Sequence, residues 1–443
     1  MRELLAFCES QREWLLDTIE ALVRLESPST DKPALDRCGR ELVARLSAIG
    51  ARVETLSLER SGNHLRAEFP STSLRPGPST ARGADPATAR GTGPATARGT
   101  GPATARGTGP ATGRGTGPET ARGTDPATAR GTGGHGDRQV LILCHFDTVW
   151  PVGQIRRMPV RLEDGRLFGP GTFDMKAGIA IGMLALRALA ETGRALPFRV
   201  VALLTTDEEV GSATSRHLIE EAAQRSEAVL VLEPALPGGA LKTARKGCGE
   251  FELRVRGISA HAGIEPGKGA SAIHEMARQI VALEALRDLP RGISVNVGVV
   301  TGGTRTNVVA DDARARIDVR VPAMSDAARI ESALRALKPQ TPGTSLEITG
   351  GVDRPPLERT AAVERLYEKA RSVAAELGRD LGEGSTGGGS DGNFTAALGV
   401  PTLDGLGPIG DGAHALHEHV IVDELPWRAA LVAGLMVRLG EDG

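Results

Sequence analysis

The sequence predicts an α/β protein built on a mixed, largely parallel sheet, with a small ferredoxin-like α+β domain inserted into it. Two patterns carry this. Three continuous apolar runs of strand length, 140–144, 200–204 and 229–232, alternate with helical segments, as strands covered on both faces by helices do. Between 249 and 349 the pattern changes to apolar/polar alternation interleaved with two helix faces, in the order β-α-β-β-α-β.

Taken in order, Leu4, Cys8, Leu15, Ile19, Leu22 and Val23 fit one helical face. Leu35, Cys38, Leu42, Leu46 and Ile49 fit another, with Gly50 as a stop, so two amphipathic helices are expected. From Pro78 to Gly133 the chain repeats an octapeptide seven times (PATARGTG and close variants) without one aromatic, Val, Ile, Leu or Met residue. Nothing there can offset a backbone ordering cost of about 1–2 kcal/mol per residue, so a disordered insertion is expected. Its seven Arg against Asp85, Glu119 and Asp125 leave the other 387 residues with a net charge of -6, an ordinary mildly acidic composition. An Ala- and Leu-rich helix over 179–189 and another around 215–223 separate the three apolar runs. In the insert, Phe251, Leu253 and Val255 alternate as a strand, as do Val295, Val297 and Val299. Ala313, Ala315, Ile317, Val319 and Val321 alternate strictly with Arg314, Arg316, Asp318 and Arg320. Helix faces through Ile273 to Leu283 and Ile330 to Leu337 and a strand at Leu346 and Ile348 complete it. Helices near 362–377 and 427–439 return the chain to the first domain.

Composition excludes several function classes. With 53 Lys+Arg against 55 Asp+Glu there is no overall field to select nucleic acid or an anionic membrane. No apolar run approaches the roughly 20 residues of a membrane helix. Acidic Glu3, Glu9, Glu13 and Asp17 are unlike a secretory signal, so a soluble, cytoplasmic protein is expected. The four scattered cysteines, Cys8, Cys38, Cys144 and Cys248, indicate neither a disulfide framework nor a Cys-based metal site and are read as packing residues.

In a parallel sheet, ligands gather beyond the carboxyl ends of the strands. Here the first run leads into His145-Phe146-Asp147, the second into Asp207-Glu208-Glu209 and the third into Glu233, while Asp174 precedes the 179–189 helix. A lone acidic residue before a helix is usually a cap worth about 1 kcal/mol. Three strand ends of one sheet carrying His or carboxylate together point instead to a metal centre, with imidazole and carboxylate ligands that suit one zinc-like ion or two sharing a carboxylate. Asp147 is placed to orient the His145 imidazole. Adjacent side chains on an extended segment point opposite ways, so one of Glu208 and Glu209 can bind metal while the other faces the attacking water. A second imidazole is available among His414, His417 and His419, with a solvated His-rich turn as the alternative. Gly388-Gly389-Ser390-Asp391-Gly392 spells a serine-hydrolase elbow but lacks the apolar strand before it. Gly405 to Gly410 spells a dinucleotide fingerprint but lacks the helix after it.

The motifs CHFDTVWPVG, GPGTFDMKAG, TTDEEVGS, LEPA, SAHAG, TNVVAD, TGGGSDGNF and GAHALHEH together resemble metallopeptidase family twenty, the co-catalytic zinc exopeptidases with a dimerisation lid. The glutamate carboxypeptidase branch is the most similar; acetylornithine deacetylase and succinyl-diaminopimelate desuccinylase are related members. The resemblance implies a zinc-exopeptidase-like catalytic domain from 1–70, 135–240 and 353–443, the repeat insertion at 71–134 and a lid at 241–352. It implies two zinc ions, with cobalt or manganese possible, His145 and Glu233 on one each with Asp174 bridging, Glu209 and His414 completing the sites, and a cis peptide after Asp174. Glu208 is then the general base and Asp147 and His261 its catalytic companions. Asn307, Arg320, Arg354, Gly387, Gly388 and Gly389 match substrate-binding positions. The activity implied is hydrolysis of a peptide or amide bond, with release of a C-terminal amino acid, glutamate first, and an N-acyl amino acid deacylase as the alternative. A catalytically inactive binding protein is disfavoured by the presence of Glu208. Expected partners are a small peptide or N-acyl amino acid and a second copy of the chain through the lid.

Overall fold

The computed structural model describes residues 1–69 and 138–441. The octapeptide repeat, and the expectation placed on it, lie outside the described residues.

The three apolar runs become strands Gln139–His145, Arg199–Thr205 and Ala228–Val231, adjacent and parallel, with Thr402–Leu403 adding a fourth parallel strand. Two strands that the apolar pattern does not announce, His64–Phe69 and Arg52–Leu56, extend the opposite edge antiparallel, which makes the six-stranded sheet mixed. The outermost of these buries none of its residues fully, and so carries no hydrophobic signature.

Side chains alternate across a strand, so one apolar run feeds two cores. Val140, Ile142 and Cys144 pack with helices Ala177–Glu191 and Leu425–Gly440 and with the N-terminal helices, whereas Leu141 and Leu143 meet Ile219 and Ala223 of helix Arg216–Gln224. Burial on both faces stabilises each such Val, Leu or Ile by about 1.5–3 kcal/mol. The first expected helix is two, Arg2–Ser10 and Arg12–Arg24, broken at Gln11 while keeping the same apolar residues inward. The next, Lys32–Ala48, starts where Asp31 Oδ1 accepts from the Ala34 amide at 2.9 Å with Pro33 in its first turn.

The insert forms its own sheet of four antiparallel strands, in spatial order Ser294–Gly302, Asp312–Val321, Gly247–Arg256 and Ser345–Arg354. Helices Ala272–Glu284 and Met324–Arg335 cover one face, where Phe251, Leu253, Ile317 and Val319 pack on Met276, Leu283, Ile330 and Leu334. The arginines that alternate with these residues face outward and pair across strands, as Arg254 does with Asp312 at 2.6 Å. This is the order of elements and the one-sided burial that the alternation predicts. Strand Leu241–Arg245, just ahead of the insert, pairs instead with Glu383–Thr386.

A further small sheet, Arg161–Glu163, Arg166–Phe168, Gly410–Asp411 and His419–Ile421, ties the loop at 412–418 to the segment after the first parallel strand. Its strands are two or three residues long, too short for any period to register in sequence. Among the described residues no helix is long and apolar enough to cross a membrane. Cys8, Cys38 and Cys144 are buried and free, as read; Cys248 is half-buried and differs, as described below.

Candidate active site

The parallel strands deliver chemistry to one end of the sheet. His145 is the last residue of its strand, Glu233 follows Ala228–Val231 directly, and Glu208 and Glu209 open a one-turn 3-10 helix, Glu208–Val210, after Arg199–Thr205. Asp174 comes from an irregular turn, Thr172–Lys176, ahead of helix Ala177–Glu191, and its peptide to Met175 is cis. That helix approaches the third strand so closely that a Cβ on Gly178 would lie 2.1 Å from the Leu232 carbonyl oxygen, which only glycine allows.

The turn bearing Asp174 is held by a carboxylate from the C-terminal part of the chain. Glu418 Oε1 accepts from the Phe173 and Asp174 amides at 2.9 and 3.0 Å, and Oε2 from the Gly171 amide and Trp150 Nε1 at 2.9 and 2.8 Å. Asp174 thereby faces two imidazoles. Its Oδ1 is 3.1 Å from His145 Nε2 and its Oδ2 is 3.5 Å from His414 Nε2. Glu233 Oε1 lies 3.4 Å from His145 Nε2, and Glu209 Oε2 lies 3.1 Å from His414 Nε2. One ligand atom from each of His145, Asp174 and Glu209 falls within a 4.8 Å span.

Electrostatics fit a cation. Although burial opposes it, contacts with Asp147, Asp174 and Glu233 hold the His145 imidazolium well above its ordinary value. Hydrogen bonds to Asp174 and Glu209 raise His414 to about 10. Burial pushes the Asp174 carboxyl up, yet its contacts with the two histidines bring it below the usual range. The field that holds protons on two imidazoles favours any positive charge, and nitrogen and oxygen donors in this mixture suit zinc, cobalt or manganese. Binding would release those protons.

Asp147 supports both sides of the cluster. Its carbonyl oxygen is 3.1 Å from His145 Nδ1 and its Oδ1 is 3.4 Å away, while Oδ2 accepts from Ser29 Oγ at 2.7 Å and from the Glu209 amide at 3.2 Å. Glu208 and Glu209 diverge as anticipated, but through a turn rather than an extended segment. Glu208 Oε1 is 2.8 Å from Arg354 Nη1, and burial pushes its carboxyl up to about 8 against the pull of that guanidinium. Arg354 Nη2 also donates to Ser212 Oγ at 2.9 Å, and Ser212 in turn donates to Asp391. Ser212 and His414 sit at φ 59° and 60°, a left-handed conformation that a non-glycine residue adopts only at some cost.

Asp174, Glu208, Glu209, Ser212, Glu233 and His414 border a cavity of about 710 Å³, with Arg320, Arg354, Gly388 and Gly389 in its wall, while His145 and Asp147 lie behind its lining. A Cβ at Gly389 would lie 2.5 Å from Arg354 Cδ, so a side chain there would displace the guanidinium stem. Gly387 is not among the lining residues. His261 and Asn307 are not either: both are exposed on the insert, where the Ala262 amide donates to the Asn307 carbonyl at 3.0 Å. Of the three C-terminal histidines only His414 joins the cluster; the His419 ring contacts Phe168.

Several residues escape sequence reasoning. Buried Arg245 binds Asp404 through Nε–Oδ2 at 2.8 Å and Nη2–Oδ1 at 2.9 Å, reaches Glu233 Oε2 at 3.4 Å and donates to the carbonyls of Gly388 and Gly389. Asp391, Ser212 and Glu418 are likewise unannounced, because each acts through partners far away in sequence, and so is Lys242, whose burial only the packed chain creates. Cys248, read as a packing residue, is in the cavity wall and accepts from Arg320 Nη1 at 2.6 Å.

Comparison with known proteins agrees with this architecture. A family model described as peptidase family M20/M25/M40 matches residues 141–438. Carboxypeptidase G2 of Pseudomonas sp. (strain RS-16) is 30% identical over 312 residues, 69% of this chain and 75% of that protein. Succinyl-diaminopimelate desuccinylase of Stenotrophomonas maltophilia (strain R551-3) is 30% identical over 326 residues, 69% of this chain and 85% of that protein. Among solved structures, aminopeptidase PepT of Bacillus cereus ATCC 10987 superposes with a TM-score of 0.68 at 21% identity, covering 97% of this chain and 98% of that one.

Proposed function

The chain belongs to peptidase family M20/M25/M40, metal-dependent hydrolases of peptide and amide bonds, and we propose that it is a carboxypeptidase with two co-catalytic ions that releases a C-terminal amino acid, glutamate first. The observation that carries this reading is Asp174, which offers one carboxylate oxygen to each of two imidazoles, close to a buried Glu208 that joins neither.

His145 and Glu233, expected on one ion each, lie 3.4 Å apart and in this reading would share one ion, while Glu209 and His414, 3.1 Å apart, would share the other and Asp174 would serve both, with zinc the expected metal. Such ions, when bound, acidify a water and polarise the scissile carbonyl. Glu208 takes one proton from that water as its oxygen bonds to the carbonyl carbon, then gives the proton to the departing nitrogen as the C–N bond breaks. Burial pushes this carboxyl up, the direction that helps it return the proton to the departing nitrogen. Arg320 and Arg354 present planar guanidinium groups, which match a carboxylate in two-pronged fashion. His261 would hydrogen-bond the developing oxyanion and Asn307 contact the substrate once the insert closes over the cavity, and the insert would also join two copies of the chain. The domain limits expected from sequence belong to this reading.

Likeness to succinyl-diaminopimelate desuccinylase supports a second reading, an N-acyl amino acid deacylase using the same centre. Kinetics on N-acyl amino acids, dipeptides and their C-terminal amides, with metal analysis of the protein, separate the two. Equal hydrolysis of acid and amide would exclude carboxypeptidase specificity, and turnover indifferent to metal removal would exclude both readings.

A further inference from the structure

Five lysine and arginine side chains line the cavity, and four have carboxylate partners. Arg216 pairs with Glu220, Arg245 with Asp404, Arg320 with Asp318 and Arg354 with Glu208. The fifth, Lys242, is only 7% exposed, yet its ammonium makes no hydrogen bond and no ion pair among the described residues.

Its position is fixed by backbone pairing. The Lys242 amide donates to the Asp404 carbonyl at 2.9 Å, the Asp404 amide returns a bond to the Lys242 carbonyl at 3.2 Å, and strand Leu241–Arg245 pairs alongside Glu383–Thr386. A buried ammonium without a partner is costly, and burial indeed pushes this one below the ordinary lysine value, with Arg245 adding to the effect. Of the carboxylates that oppose this, Asp404 is already held by Arg245, and Glu233 and Asp174 belong to the proposed metal centre. The unmet need is therefore for an anion supplied from the cavity itself.

We propose that Lys242 is a specificity-determining residue whose ammonium pairs with the side-chain carboxylate of an acidic residue at the substrate's C-terminus. This rests on the carboxypeptidase reading above and deepens it. The guanidinium forks suit the planar α-carboxylate, whereas a single ammonium suits a second, separate carboxylate, so the preferred released residue carries two.

The test compares the metal-loaded wild-type protein with K242M and K242R on N-benzoyl-glutamate and N-benzoyl-glutamine, together with calorimetric binding of free glutamate and glutamine. The expected wild-type preference for glutamate over glutamine, about 10- to 100-fold from loss of one charge-assisted hydrogen bond, should vanish in K242M mainly through KM. K242R should keep most of it, and metal content and melting temperature should not move. A K242M protein that retains the preference, or loses both substrates equally, overturns the assignment. Absence of hydrolysis by the wild type would count against the carboxypeptidase reading alone, because calorimetry still reads Lys242: K242M must weaken glutamate and spare glutamine, and equal effects on the two overturn the inference. Should K242M fail to fold, K242Q carries the same expectations.

Discussion

Arg354 Nη1 lies 2.8 Å from Glu208 Oε1, so the guanidinium that the carboxypeptidase reading assigns to the substrate carboxylate is joined to the carboxylate that it assigns as base. Both side chains are nearly buried, so breaking the pair without a substitute partner would leave a buried charge uncompensated. On the carboxypeptidase reading, a substrate carboxylate arriving at Arg354 would compete with Glu208 and free it to turn towards water. Substrate binding and readiness of the base would then be coupled through one ion pair.

Glu208→Gln removes the proton acceptor and leaves the ligand atoms in place. The expected result is full metal content with kcat lowered by at least about 10²-fold. Elemental analysis beside steady-state kinetics checks this, and loss of metal would move Glu208 from base to ligand.

For Arg354→Ala the coupling predicts a compound effect. kcat/KM should fall much further for a free C-terminal acid than for its amide, since only the acid is left with an unpaired charge. Measuring both substrates on both proteins decides it; an equal fall would mean that Arg354 serves Glu208 alone.

Glu418→Gln keeps the size of the side chain and replaces one acceptor oxygen by a donor facing backbone amides of the turn at Thr172–Lys176. The Asp174 carboxylate should then lose its fixed aim, and metal affinity should weaken by about 10- to 100-fold, as is usual when a group that orients a ligand is altered. Competition with a metal-binding dye measures this, and unchanged affinity would refute it.

Arg428, fully buried, donates to the carbonyls of Gly239, Gly405 and Gly407. Arg428→Met would leave three buried acceptors unpaired and should lower unfolding free energy by at least about 2 kcal/mol. Denaturant unfolding is the check, and a loss below about 0.5 kcal/mol would show that water replaces the guanidinium.

Much of this protein was legible from its residues because hydrophobic period reports burial directly. Apolar runs buried on both faces announce the parallel strands, and strict alternation through 313–321 announces the one-sided sheet of the insert. His145, Glu208, Glu209 and Glu233 could be picked out since each stands where such a run ends. The edge strand Arg52–Leu56 and the strands at 161–168 and 410–421 left no such trace, being exposed or only a few residues long.

Residue pattern set the class of fold, the end of the sheet where chemistry gathers and the kinds of ligand atom offered there, and the motif resemblance singled out His414, which does face Asp174. Packing alone revealed that Glu418 aims that carboxylate, that Arg354 is tied to Glu208 and that Lys242 lacks a partner among the described residues. The division has a physical cause. Burial and backbone period are local properties that a short window of residues expresses. Hydrogen bonds and ion pairs between residues such as Asp174 and Glu418, 244 positions apart, depend on angles and distances that exist only after the chain has packed.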